Sequence, residues 1–225
     1  MWAILPVKSF ADAKQRLADV LSESKRRRLS EAMFNDVLSA VTQTPEIQHV
    51  LVVTADKDIA AIATGYHAEV LLEPAHCVGL NAAIELAVHH VQMRGGDRAL
   101  ILHADIPLTN KDDLTYLIRG QFEGGISLIP DKHEQGTNGM VLNLPTTFVF
   151  QFGENSYQKH QQSAAEQGLM CSMAELPDLT LDIDQPEDLL ELAMRCRRYP
   201  QLATSQLLLR PEMQQMLHRI GGDKV

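Results

Sequence analysis

The sequence contains neither GxxxxGK[ST] nor GxGxxG, so a P-loop and a standard dinucleotide-binding turn are both excluded. HExxH and HxH are missing among its nine histidines. No zincin motif or catalytic triad is therefore supported, and His89, His90 and His103 read as packing or surface residues. The three cysteines, Cys77, Cys171 and Cys196, form no CxxC pair, which argues against a disulfide framework or zinc knuckle and for reduced thiols. No apolar run approaches the about 18 residues of a membrane span. The opening MWAILPVKSF lacks the charged start and small-residue cleavage site of a signal peptide. A cytoplasmic protein without membrane contact is expected.

The 20 basic and 29 acidic residues give a net charge of −9, which argues against a nucleic-acid or anionic-membrane surface for the molecule as a whole. The distribution is uneven. Up to Arg28, the chain carries seven bases, Lys8, Lys14, Arg16, Lys25, Arg26, Arg27 and Arg28, against three acids. A basic first segment on an acidic protein suits a small polyanion. The 225 residues, free of repeats and low-complexity tracts, fit one large domain with a real core.

Short aliphatic runs, WAILPV, HVLVVTAD, AEVLLE, RALILHAD and GISLIPD, alternate with stretches of helical period. That is the pattern of βαβ units around a mostly parallel sheet, an α/β fold. The predicted helices run from Glu23 to Ala40, Lys57 to Ala63, Leu80 to Met93 and Lys111 to Gly120, the last capped by Asn110. After Asp131 the alternation breaks. HEQGTNG reads as a polar loop, MVLNLP as a strand, ENSYQKHQQSAAEQG as a helix, and LTLDIDQPEDLLELA as a strand running into a helix. The expected organisation is one domain with a nucleotide-binding half (1–131), an acceptor-binding half (132–197) and a helical tail (198–225). The tail is a candidate for packing on a neighbour, as in a homodimer.

Three carboxylates stand where chemistry is expected. Asp105 follows the strand RALILH, and a charge at the carboxyl end of a buried parallel strand belongs over a crevice. Asp182 and Asp184 are two apart, so a strand through them would point both to one face. Together the three suit a hard cation such as Mg²⁺, which takes carboxylate, phosphate and water oxygens. Asp184 is equally a helix N-cap ahead of Pro186, and Asp105 a turn residue before Pro107. In PVKSFADAKQRLA, Lys8, Lys14 and Arg16 either hold a triphosphate or form a solvated basic face. Gly79, Leu80 and Asn81 open a helix whose free N–H groups could meet a nucleotide. Thr137 with Asn138, and Gly153 with Ser156, offer anion donors in two further loops that ordinary turn chemistry also explains.

In order, PVKSFADAKQRLA, VLVVTAD, GLNAAIELA, LHADIPL, GTN, FGENSYQKH and LDIDQPEDL resemble the 2-phospho-L-lactate guanylyltransferases and their phosphoenolpyruvate and 3-phospho-D-glycerate relatives of coenzyme F-420 biosynthesis. The resemblance covers residues 1 to about 192. It implies a single Rossmann-like, GT-A-like nucleotidyltransferase domain joining GTP to a phosphorylated three-carbon acid with release of pyrophosphate. It further implies Mg²⁺ on Asp105, Asp182 and Asp184. The phospho-acid would lie on Lys8, Thr137, Gly153 and Ser156, and GTP on Lys14, Arg16 and the Gly79–Leu80–Asn81 turn, with Lys14, Arg16 and Asp105 catalytic. The glycine-rich LxAGxGxRxxxxK opening of molybdenum-cofactor and sugar-phosphate enzymes is replaced by LPVKSFADAK. A glycosyltransferase using Asp182 and Asp184 as a DxD pair, and a silent nucleotide-binding module, are the other readings. Where many relatives have alanine after GTN, this chain has Gly139 and then Met140, and it lacks a doubled GTGT, which leaves the acceptor open.

Overall fold

A computed structural model of the chain describes residues 1–222 other than 12, 75 and 174. Seven strands form one sheet in the order β3-β2-β1-β4-β6-β5-β7. They are β1 (Trp2–Pro6), β2 (His49–Thr54), β3 (Glu69–Leu72), β4 (Arg98–Leu102), β5 (Ile126–Pro130), β6 (Thr137–Asn143) and β7 (Cys171–Met173). Only β6 runs antiparallel, between β4 and β5. The first four strands are joined by α1 (Glu23–Gln43), α2 (Lys57–Gly65) and α3 (Leu80–Met93), and α4 (Lys111–Gly120) leads from β4 to β5.

Every residue of β1 is buried, as expected of a parallel strand covered on both faces. Alternate side chains go to opposite layers. Ala3 and Leu5 pack with Phe34, Val37 and Leu38 of α1 and with Ile59, Leu114 and Leu117. Trp2 and Ile4 pack with Ile84, Ala87 and Val91 of α3. On that second face the layer is completed by Phe148, Phe150 and Phe152 and by Ala164 of α5 (Ser156–Glu166). The Asn110 cap of α4 is present, its side chain accepting from the N–H groups of Asp112 and Asp113.

The second half departs from the sequence reading in three places. Thr137, Asn138 and Gly139 are not a loop; they begin β6. The reason is steric: a Cβ on Gly139 would lie 2.6 Å from the Ile101 carbonyl oxygen and 3.1 Å from Ile129 Cδ1. Glycine there lets β4 and β5 close on β6 from both sides. No strand passes through Asp182 and Asp184, and α6 starts at Pro186 and runs to Arg195. The helix cap is Gln185, not Asp184, in a reciprocal capping box with Asp188. Third, the tail packs on its own chain. Its helices α7 (Ala203–Leu208) and α8 (Pro211–Gly222) place Leu207, Leu208, Met213, Met216 and Leu217 in a cluster with Leu17, Met33, Leu181, Ile183 and Leu189. The buried Asp36 carboxylate of α1 fixes the start of α7, accepting from Ala203 N at 2.7 Å and Thr204 N at 2.9 Å.

Gly139→Ala is expected to destabilise the protein by about 1–3 kcal/mol, the usual cost of forcing extra volume into a packed core. Equilibrium urea denaturation measures it. An unchanged midpoint would show that β4 and β6 can part at no cost.

Candidate active site

The chain crosses from β3 at the sheet edge over β1 to β4, so β1 has β2 on one side and β4 on the other. That is a topological switch point, where open α/β sheets leave a crevice beyond the strand ends. A cleft of about 510 Å³ lies there, lined by Lys8 and Lys14 after β1, His103 and Asp105 after β4, Leu80 at the start of α3, and Asp184.

Lys14 is the centre of the cleft's polar floor. Its backbone is left-handed (φ 56°, ψ 43°) and opens a short 3-10 turn, Gln15–Leu17. The fully buried Leu17 anchors that turn in the tail cluster. The Lys14 side chain, only 7% exposed, reaches Asp105 Oδ2 at 2.6 Å and Asp184 Oδ1 at 2.9 Å. Burial alone would lower the pKa of its ammonium, yet the two carboxylates hold it above its usual value. For Asp105, burial pushes upward, but the Lys14 ammonium holds the carboxyl below the usual carboxylate range. Its Oδ1 is buried without a hydrogen-bond partner.

Asp182 and Asp184 arrive by a different route from the expected strand. Ile183 N donates to the Asp105 carbonyl at 3.2 Å, and Leu181 and Ile183 are fully buried on either side of Asp182. The extended segment therefore keeps a two-residue alternation without a strand partner. Asp188 fixes its end by accepting from Asp184 N at 2.9 Å and Gln185 N at 2.6 Å. Asp188 also receives Lys132. Burial, with Asp105 and Asp184 nearby, raises the Asp182 carboxyl to about 7. Arg16 is exposed, its guanidinium 3.7 Å from Asp184 Oδ2. These carboxylates are the hard oxygen donors that Mg²⁺ prefers. Among the described residues, however, no three His, Cys, Asp or Glu side chains stand ready to hold a metal ion as they are. The Lys14 ammonium sits between two of them.

The remaining expected residues form a second cluster. Thr137 N donates to Ser156 Oγ at 2.9 Å, and Thr137 Oγ1 lies 2.9 Å from His160 Nδ1. His160 Nε2 accepts from Gln151 N at 2.9 Å, so the ring proton is on Nδ1 and is donated to Thr137. Both hydroxyl side chains are buried and engaged within the protein. Gly153, at φ 124°, turns the chain between Phe152 and α5. Asn81, in the first turn of α3, bonds Phe152: Nδ2 donates to its carbonyl at 3.1 Å and Oδ1 accepts from its N–H at 2.8 Å. The Phe152 ring stands 4.8 Å from His160 and 5.3 Å from His103, which joins the two clusters. His103, read from sequence as packing or surface, lines the cleft with Nε2 buried and unpartnered. His160 carried no sequence signal, whereas the alternation of Phe148, Phe150 and Phe152 marked an extended segment with one buried face.

The family model for "Guanylyl transferase CofC like" proteins matches residues 1–200. The chain belongs to this CofC-like family. It is 40% identical over 190 residues to the phosphoenolpyruvate guanylyltransferase of Conexibacter woesei, covering 84% of this chain and 85% of that one. It is 34% identical over 192 residues to the 2-phospho-L-lactate guanylyltransferase of Methanothermobacter thermautotrophicus, covering 85% and 83%. In shape it is similar to a nucleotidyl transferase from the same genus, Mth528, with a TM-score of 0.64, 16% identity and coverage of 88% and 98%. A Desulfovibrio desulfuricans G20 structure described as a nucleotide-diphospho-sugar transferase gives a TM-score of 0.77 at 14% identity, with 97% of each chain covered. These neighbours share the nucleotidyltransferase fold. The CofC-like match ends before α7 and α8, the helices that pack behind the cleft floor.

Burial lowers the pKa of His160 to about 4, well below the about 6.5 of an unfolded histidine. Its contribution to stability is therefore complete above about pH 6.5 and is lost as the pH falls through about 4. Melting temperature is expected to fall less between pH 6.5 and 4 in His160→Gln than in the unmodified chain, although the variant melts lower at pH 8. Parallel pH profiles would show that His160 is not the buried neutral group described.

Proposed function

We propose that this CofC-like protein transfers the guanylyl group of GTP to the phosphate of a phosphorylated three-carbon acid, releasing pyrophosphate, in coenzyme F-420 biosynthesis. Phosphoenolpyruvate, named for the relative at 40% identity, is the first acceptor expected, with 2-phospho-L-lactate and 3-phospho-D-glycerate next. The observation that carries the reading is the Lys14 ammonium held between Asp105 and Asp184 at the switch-point cleft. Charge of both signs is thereby concentrated where a triphosphate and a second phosphate would meet.

A phosphate oxygen of the acid attacks the α-phosphorus in line as pyrophosphate departs. The attacking phosphate has a second pKa near about 6, so it is largely dianionic at neutral pH and requires no general base. The difficulty is bringing two polyanions together. Lys14, once drawn from its carboxylates, and Arg16 neutralise the triphosphate, while Lys8 on the cleft wall faces the acid. A Mg²⁺ ion on Asp105, Asp182 and Asp184 would neutralise phosphate charge where the carboxylates otherwise repel it. That assignment rests on the donor chemistry, the unpartnered Asp105 Oδ1 and the burial and carboxylate repulsion that together raise Asp182.

Pyrophosphate release is measured with GTP or ATP, with and without Mg²⁺, against the three acids. Turnover is expected with GTP, Mg²⁺ and one acid, and to fall about 10²–10³-fold in Asp105→Asn, as when a charge-stabilising group is lost elsewhere. Silence across the panel from folded protein would remove the proposed reaction. Full activity in Asp105→Asn would remove the metal assignment alone.

A further inference from the structure

The proposed reaction requires an acceptor oxygen and the α-phosphorus to stand about 3–3.5 Å apart, in line. In the guanylyl-transfer reading, with the sites the resemblance implies, they would be held by different parts of the chain: nucleotide by the loop after β1 and the start of α3, acid by Lys8 and the region around Gly153 and α5. Something must set the distance between the two. Among the described residues, the only side-chain hydrogen bonds from α3 to the segment before α5 are the two made by Asn81 to Phe152.

Those two bonds are the pair that a neighbouring strand residue would make, one from the carboxamide N–H₂ to the Phe152 carbonyl and one from the Phe152 N–H to the carboxamide oxygen. They therefore fix the orientation of the Phe152 peptide groups as well as their distance. Immediately afterwards the chain takes the positive-φ turn at Gly153, where an added Cβ would meet nothing within 4 Å. The turn is thus held by backbone geometry and not by packing at Gly153. A shift of the Phe152 peptide passes directly to Gly153 and to the start of α5. The Phe152 ring contacts both His103, which lines the cleft, and His160.

We propose that Asn81 is a positioning residue that couples the two substrates, so that occupancy at the start of α3 sets the acceptor side through Phe152, and each substrate tightens binding of the other. This rests on the guanylyl-transfer reading above. Coupling of this kind is reciprocal and commonly worth about 5–150-fold in affinity. Asn81 touches neither reacting atom in this reading, and its loss is distinct from loss of Lys14 or Asp105.

The test is calorimetric binding in Mg²⁺ of an α,β-methylene analogue of GTP, which binds without reacting, and of phosphoenolpyruvate, each alone and in the presence of the other. In the unmodified protein each ligand is expected to raise the affinity of the other about 10-fold. In Asn81→Ala the ratio of each ligand's affinity with and without the other is expected to fall to about one, whatever the affinity of either ligand alone. A thermal melt establishes that the variant is folded. Asn81→Asp, which keeps the bond from Phe152 N–H and loses the one to its carbonyl, shows an intermediate enhancement and serves if the alanine variant does not fold. Independent binding in the unmodified protein, or full enhancement in both variants, overturns the link and leaves guanylyl transfer standing. Failure of the unmodified protein to bind either ligand overturns both.

Discussion

The ion pairs of Lys14 with Asp105 and Asp184 hold together three segments that are distant in sequence: the loop after β1, the end of β4 and the lead into α6. The ammonium is not comfortable by itself. The buried ammonium without its carboxylates would be driven to neutralise or to solvent, and the part-buried Asp105 would lose the charge that holds it ionised. Each segment therefore stays in place because the other two do. The balance is incomplete, since Asp182 lies within electrostatic reach and Lys14 only partly offsets its neighbours. The cleft floor carries surplus negative charge, and a polyanionic substrate approaching it needs additional positive charge in the site.

This polar floor rests on an apolar support. Leu17 follows the Lys14 turn, Leu108 follows Asp105, and Leu181 and Ile183 bracket Asp182; all join the cluster shared with α6, α7 and α8. The tail lies outside the span of the family match but inside the physical unit that positions the acids. The Asp36 carboxylate then closes the unit by satisfying N–H groups at the first turn of α7, where a helix has donors without intrahelical partners.

The first half of the fold was legible because its signals are local. WAILPV, HVLVVTAD and RALILHAD are continuous apolar strands, and Asn110 is followed by a helix that needs its cap. The second half depended on contacts far apart in sequence. Thr137 to Gly139 look like a loop by composition, yet the close approach of Ile101 and Ile129 makes glycine a requirement of β6. Cys171–Met173 pairs with β5 at the sheet edge, and three residues with mixed exposure carry no periodicity to read. Asp105 and Asp184 were visible as acids at element ends, but their distance from Lys14 was not. The partner of Asn81 was hidden for a physical reason. A polar residue in the first turn of a helix suits a ligand, and nothing local shows that its carboxamide is already paired with a backbone segment 71 residues away.

The chemistry of the nucleophile explains how the histidines are used. A phosphate already dianionic at neutral pH asks for no proton acceptor, so no imidazole has to be kept poised between its two states. His160 is accordingly buried where it stays neutral, its two nitrogens satisfied by Thr137 and Gln151, and its task is to hold β6, α5 and the Phe152 segment in register. Burial likewise lowers the pKa of His103, more than nearby Asp105 raises it. A neutral ring next to Lys14 adds no second cation to compete for Asp105 and Asp184. The site thus keeps its fixed positive charge on lysine and arginine, whose ammonium and guanidinium groups do not titrate near neutrality, and uses histidine for shape.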